Sequence, residues 1–215
     1  MSATGAVVIT GLVEAQRWFE KASRMFDAAL GDAMRVCGYR LRDMIRLGIR
    51  DQAPGGKPYS PPLSPWTLAA RKYRLKKKGT KIHIASGAML RSINVQFTGK
   101  GAATVVNVGV KRGAREANGK DVVNIARVQE FGAGPFAIPF TPKMRGYLAK
   151  LAKDAGLPPS SGGGGGAPVI IVKIPARPFL RPAFAQFVGM MPDLFEEEFR
   201  KALIRRSGLV LPPAT

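Results

Sequence analysis

The chain has one cysteine, Cys37, and one histidine, His83, in 215 residues. A lone cysteine excludes an intramolecular disulfide and a Cys-rich zinc site. Cys37 lies on the apolar stripe of a helical pattern, where a free thiol behaves as a small core hydrophobe. His83 has no second histidine or cysteine near it to share a metal, and no carboxylate close in sequence to orient it as a base. It is expected to be structural or solvent-facing. Acids are also scarce, 14 against 34 lysines and arginines. They form no metal-binding cluster, and Glu196, Glu197 and Glu198 are consecutive, so they point in different directions on a helix. No uncharged apolar stretch reaches the roughly 20 residues of a membrane span. The first residues, MSATGAVVITGLV, lack the basic n-region of a secretory signal. These absences describe a soluble, cytoplasmically made protein without metal, cofactor or catalytic site.

What is abundant is positive charge, glycine and proline. The formal net charge is +20, with 25 Gly and 17 Pro. A chain this basic repels itself unless it meets nucleic acid, an anionic surface or an acidic protein. Apolar residues at 46% are enough for a folded core.

Residues 6–10 (AVVIT) read as a short strand. From Leu12 to about Arg50, apolar residues recur at spacings of three and four, including Trp18, Phe19, Phe26, Ala33, Cys37, Leu41 and Ile45. This is a long amphipathic helix, either continuous or broken near Gly31 or Gly38. Unbroken, it would run about 55–60 Å, longer than a small domain is wide, so part of it should pack on a neighbour. A Pro/Gly loop follows at 51–65. Ser64 then caps a short helix that has Pro65 at its first position. Ser86 opens a turn over Gly87–Arg91. Alternation at Ile93, Val95 and Phe97 indicates a strand, with 102–110 as its antiparallel partner.

A basic loop covers 111–120, and 121–131 reads as a helical turn closed by Gly132. FAIPF is extended, and 142–155 helical. GLPPSSGGGGGAP is a flexible loop; no Lys-Ser/Thr follows its glycines, which excludes a P-loop. Val169–Ile174 is a strand, and Pro178 starts a last helix that Pro192 should kink or restart. The tail from Ser207 is loose. The fold class is α+β: a small, mostly antiparallel sheet packed by a long N-terminal and a long C-terminal helix, in a single domain over 1–206.

The strongest interaction candidate is RKYRLKKKGTK, with Arg71, Lys72, Arg74, Lys76, Lys77, Lys78 and Lys81; Lys111, Arg112 and Arg115 are further candidates. Such cations neutralise phosphates one by one, and Tyr73 and Trp66 could stack on bases. No base-reading motif accompanies them, so any DNA contact would be to the backbone and independent of sequence. An acidic protein would satisfy the same run. IPARPFLRPAF, residues 174–184, reads as an architectural corner. Pro175 ends the strand, Pro178 pre-sets the first helical turn, Phe179 and Leu180 anchor it, and Arg177 is free to reach a carboxylate or a helix C-terminal carbonyl.

The order of these motifs resembles the tail-completion and virion-morphogenesis proteins of tailed bacteriophages, including the minor tail protein Z-like and neck groups. The resemblance rests on Leu63, Ser64, Thr67 and Lys72; on Gly87, Leu90 and Ser92; on Glu130, Phe131 and Gly132; and on Pro175, Ala176, Arg177, Pro178 and Phe179. It covers roughly residues 12–205, with 73–84 and 133–167 longer than in a minimal member. It implies a structural virion protein at the neck or head-proximal tail end, completing the tail and joining it to the DNA-filled head. It further implies a homo-oligomeric ring of about six copies. The neighbours would be tail-terminator, tail-tube or connector proteins, with packaged DNA as a sequence-independent contact. The alternatives are a free, nonspecific nucleic-acid-binding protein and an enzyme with an unseen site.

Overall fold

The computed structural model describes residues 11–75, 81–84, 86–156 and 169–208. The strand expected at 6–10, the lysines Lys76, Lys77 and Lys78, the glycine run and the last seven residues lie outside these. The order is α1 (Leu12–Asp51), α2 (Pro65–Leu75), α3 (Ala88–Ser92), β1 (Ile93–Thr98), β2 (Val105–Val110), α4 (Val122–Phe131), β3 (Ala133–Pro139), α5 (Pro142–Ala155), β4 (Val169–Ile174) and α6 (Leu180–Ser207). The class is α+β, as expected. The strands form two separate two-stranded sheets, β1–β2 and β3–β4, where one sheet was expected.

The chain divides into two compact units. One comprises Met1–Tyr39, Gln96–Asn107 and Met190–Thr215; the other comprises Arg40–Val95 and Val108–Gly189. In the first, α1 buries Ala29, Ala33 and Cys37, and α6 buries Ala202. Burial pushes the Cys37 thiol pKa up, and nearby Glu198 adds to this, so it is a packing residue. Gly31 does not break α1. A Cβ on it would sit 3.1 Å from the backbone of Gly101, so its bareness lets the β1–β2 turn approach the helix. Asp27 fastens that turn by accepting a 2.7 Å hydrogen bond from the Ala102 N–H. Tyr39 meets Phe97 edge-on, and Arg206 pairs with Asp32 at 2.6 Å. Residues 13–21 of α1, by contrast, are all exposed, with Trp18 at 65% and Phe19 at 67%.

In the second unit Ile45, Ile49, Met89, Ile93, Val122, Leu151, Phe179 and Phe187 form the core. Helix α2 packs on α5, and α3 on α4. Strands β3 and β4 run antiparallel, with Ile138 opposite Ile170 and a bulge between Ala133 and Phe136. Helix α6 starts at Leu180, two residues beyond Pro178, and continues through Pro192 to Ser207 without the expected break. The carbonyl that Pro192 leaves unbonded belongs to Val188, which is 53% exposed, so water can replace the lost bond.

Candidate functional site

Two motifs more than 40 residues apart meet at the start of α6. Its first turn has backbone N–H groups without intrahelical acceptors, and the residue before it, Phe179, has no capping oxygen. The acceptor comes from α4. One carboxylate oxygen of Glu130 accepts from the N–H groups of Phe179 and Leu180 at 2.8 and 3.0 Å. The other accepts from the N–H of Arg181 at 3.0 Å and its Nε at 3.2 Å. Glu130 is only 3% exposed. Burial alone would raise its pKa, but the three backbone donors and Arg181 outweigh that and hold it below the ordinary carboxylate value. The carboxylate is thus a charged cap, placed where the helix dipole favours it.

Gly132 closes α4 at φ +76°. A Cβ there would meet the Ile174 carbonyl at 2.9 Å and the Ala176 nitrogen at 3.0 Å, so this position must be bare for the two motifs to touch. Phe131 stays 65% exposed, with the Arg181 guanidinium 5.0 Å from its ring centroid.

Arg177 ties in a third segment. Its N–H donates to the Gln129 carbonyl at 2.7 Å. Its guanidinium, expected to reach a carboxylate or a helix C-terminus, instead donates to the loop carbonyls of Pro61 and Pro62, each at 3.1 Å. Its own carbonyl lies 3.2 Å from Nε2 of His83. That ring meets Tyr59 edge-on at 5.0 Å and Phe179 at a tilt at 5.2 Å. His83 is therefore structural, and its backbone sits in the left-handed region, φ +63°.

Burial pushes the His83 pKa down to about 4; its bond to the Arg177 carbonyl only partly opposes this. The unfolded chain takes up the proton near pH 6.5 and the folded chain does so only near 4. Stability should therefore fall as pH drops through that window, by about 3 kcal/mol in all, and stay flat above it on this group's account. Urea titrations at stepped pH should show this slope in the native chain. It should disappear in His83→Asn, which tolerates the same backbone. An unchanged slope in the variant would mean that another group is responsible.

The other motif residues are local supports. Ser64 Oγ accepts from the Thr67 N–H at 3.2 Å and caps α2. Gly87 begins α3 at φ +74°. Leu90 is half-buried, and Ser92 Oγ donates to the Met89 carbonyl at 2.7 Å. Pro175 and Pro178 flank Arg177 in the extended corner.

The basic candidates are dispersed. Arg71 is half-buried and donates to the Lys81 carbonyl at 2.6 Å, while Lys81 Nζ caps α1 at the Arg50 carbonyl, 2.9 Å away. Both serve the fold. Lys72 on α2 and Lys111, Arg112 and Arg115 in the loop after β2 are exposed; Arg115 bonds the Gly119 carbonyl. Arg74 belongs to α2. The sequence reading passed over α5, whose cations stand beside the end of α2: Lys150 Nζ is 5.0 Å from the Tyr73 ring centroid, and Tyr73 meets Tyr147 at 5.9 Å. Its signal was the lysine spacing in PKMRGYLAKLAKDA.

Among the described residues no group of three or more His, Cys, Asp or Glu could hold a metal ion. None of the described helices is long and apolar enough to cross a membrane. Compared with known proteins, the chain matches the phage virion morphogenesis family over residues 11–193. No curated protein and no solved structure gives a match.

Proposed function

The chain belongs to the phage virion morphogenesis family, and from that premise we propose that it is a structural subunit of the neck or head-proximal tail end. In this reading it self-assembles into a ring that completes the tail and joins it to the DNA-filled head. Its neighbours would be tail-terminator, tail-tube or connector proteins. Membership gives the role in virion morphogenesis; the position and the ring are the proposal.

The observation that carries self-assembly is the uncovered start of α1. Val13, Trp18 and Phe19 are 56, 65 and 67% exposed. Most of a helix's stability in a protein comes from packing of its apolar side chains, and those at this end of α1 are left in water. The segment 12–26 carries Glu14 and Glu20 against Arg17, Lys21 and Arg24. It is thus nearly neutral in a strongly basic chain, which suits contact between like copies. A free nucleic-acid-binding protein would have no use for this face.

Light scattering of the purified full chain should therefore show an oligomer. Trp18→Glu with Phe19→Glu should reduce it to monomers with little change in melting temperature, because neither side chain is buried within the subunit. A native chain that stays monomeric at high concentration, or a variant that assembles as well as the native chain, would count against this face.

A further inference from the structure

Helix α5 carries a basic row on its solvent side. Lys143, Lys150 and Lys153 are all exposed, and they span about 15 Å along the axis. Among the described residues none of the three takes part in an ion pair. Asp154 is the one acid on α5, and α2 has none. The contact of Lys150 with Tyr73 brings the end of α2, with exposed Lys72, beside the row.

The second observation is Gly146, which sits among these lysines in the interior of α5. Glycine there costs the helix about 1 kcal/mol relative to alanine. In α1 a Cβ on Gly31 or Gly48 would press on backbone at 3.1 or 2.9 Å, whereas Gly189 in α6, like Gly146, has open space around it. At Gly146 a Cβ would meet nothing within 4 Å, and no left-handed φ requires glycine. Packing within the chain does not account for it. Its bareness leaves room for close approach of something outside the chain.

We propose that the α5 row, together with the end of α2, is a sequence-independent site for the phosphate backbone of duplex DNA, with Gly146 as the notch where the backbone comes closest. Lysines are point charges on flexible stems, without the planar fork that matches a particular carboxylate pair. A row of them fits a uniform polyanion in any register better than a folded acidic surface. This site does not depend on the ring or on its place in the virion.

The test is fluorescence anisotropy of a labelled duplex with the full chain across a salt series. The triple variant Lys143→Gln, Lys150→Gln, Lys153→Gln should lower the log–log salt slope by about three. Its affinity should then fall about fortyfold less between 50 and 200 mM salt than that of the native chain. The charge-matched control Lys111→Gln, Arg112→Gln, Arg115→Gln should leave the slope near native. Gly146→Leu, which changes no charge and fills open space, should bind severalfold more weakly while melting at or above the native temperature. Equal losses in both triples would show that only net charge matters and would overturn the site. So would native DNA affinity in Gly146→Leu, or poly-glutamate competing as well as DNA, which would point to an acidic protein.

Discussion

Replacing Glu130 with alanine should destabilise the protein by about 3–4 kcal/mol. Three N–H groups at the start of α6 would lose their acceptor at once. Phe179 is buried and Leu180 half-buried, so at those two N–H groups water would not replace the carboxylate without rearrangement. The ion pair with Arg181 adds little, because the Arg181 side chain is 63% exposed. Glu130→Gln keeps the shape and one acceptor oxygen, and should lose roughly half as much. For a chain of this length the alanine variant should melt roughly 10 °C lower. A loss under about 1 kcal/mol would show that α6 finds another cap. The charge also sets a pH dependence. The folded-state pKa of Glu130 is depressed, so its contribution is present above the ordinary carboxylate value and is lost as pH falls below it. That loss begins at the lower end of the window in which His83 acts and continues below it.

Phe179→Ala should cost about as much, 3–5 kcal/mol, for a different reason. Phe179 is fully buried beside His83, so truncation removes apolar contact and leaves a cavity. Water entering it would relieve the desolvation that depresses His83. The His83 pKa should therefore rise from about 4 toward 6.5, which histidine proton NMR would follow. Phe179→Leu should lose far less stability and leave His83 near its native value. If His83 stays near 4 in Phe179→Ala, the neighbouring Tyr59 and Arg177 suffice to keep it dry.

Both substitutions act on one joint, and the sequence revealed its parts unequally. Regular features were legible because local chemistry fixes them. The apolar spacing of α1 gave a helix from Leu12 to about Arg50, against Leu12–Asp51 in the structure. The β-branched run Val169–Ile174 gave β4 with the same bounds. Strand partnership was not legible. The residues show that FAIPF can be extended and that 169–174 can be a strand, but not that they pair with each other and leave β1–β2 separate.

Glu130 could be marked only through the motif resemblance, since nothing near it in sequence says that its carboxylate meets a helix starting 50 residues later. One indirect signal existed. PFLRP opens a helix without Ser, Thr, Asp or Asn at its cap, so the acceptor had to come from elsewhere, in a chain poor in acids. For Arg177 the sequence suggests a carboxylate or a helix C-terminal carbonyl, whereas the structure gives it the loop carbonyls of Pro61 and Pro62, which leave no trace in composition. The basic candidates were chosen by density of charge. That favoured 71–81, where Arg71 and Lys81 turn out to hold backbone carbonyls, over the sparser lysines of α5.

The joint fixes the direction in which α6 leaves β4, and in the proposed function the uncovered start of α1 is the face for a second copy. On this account the protein is a building part of the particle, with its chemistry devoted to holding one shape. The most direct measurement is a cryo-electron-microscopy reconstruction of the purified virion's neck. The account predicts a closed ring of this chain between the DNA-filled head and the tail, with the first turns of α1 buried against the adjacent copy. A complete virion containing no copy of the chain, or copies placed singly without α1 contacts, would contradict it.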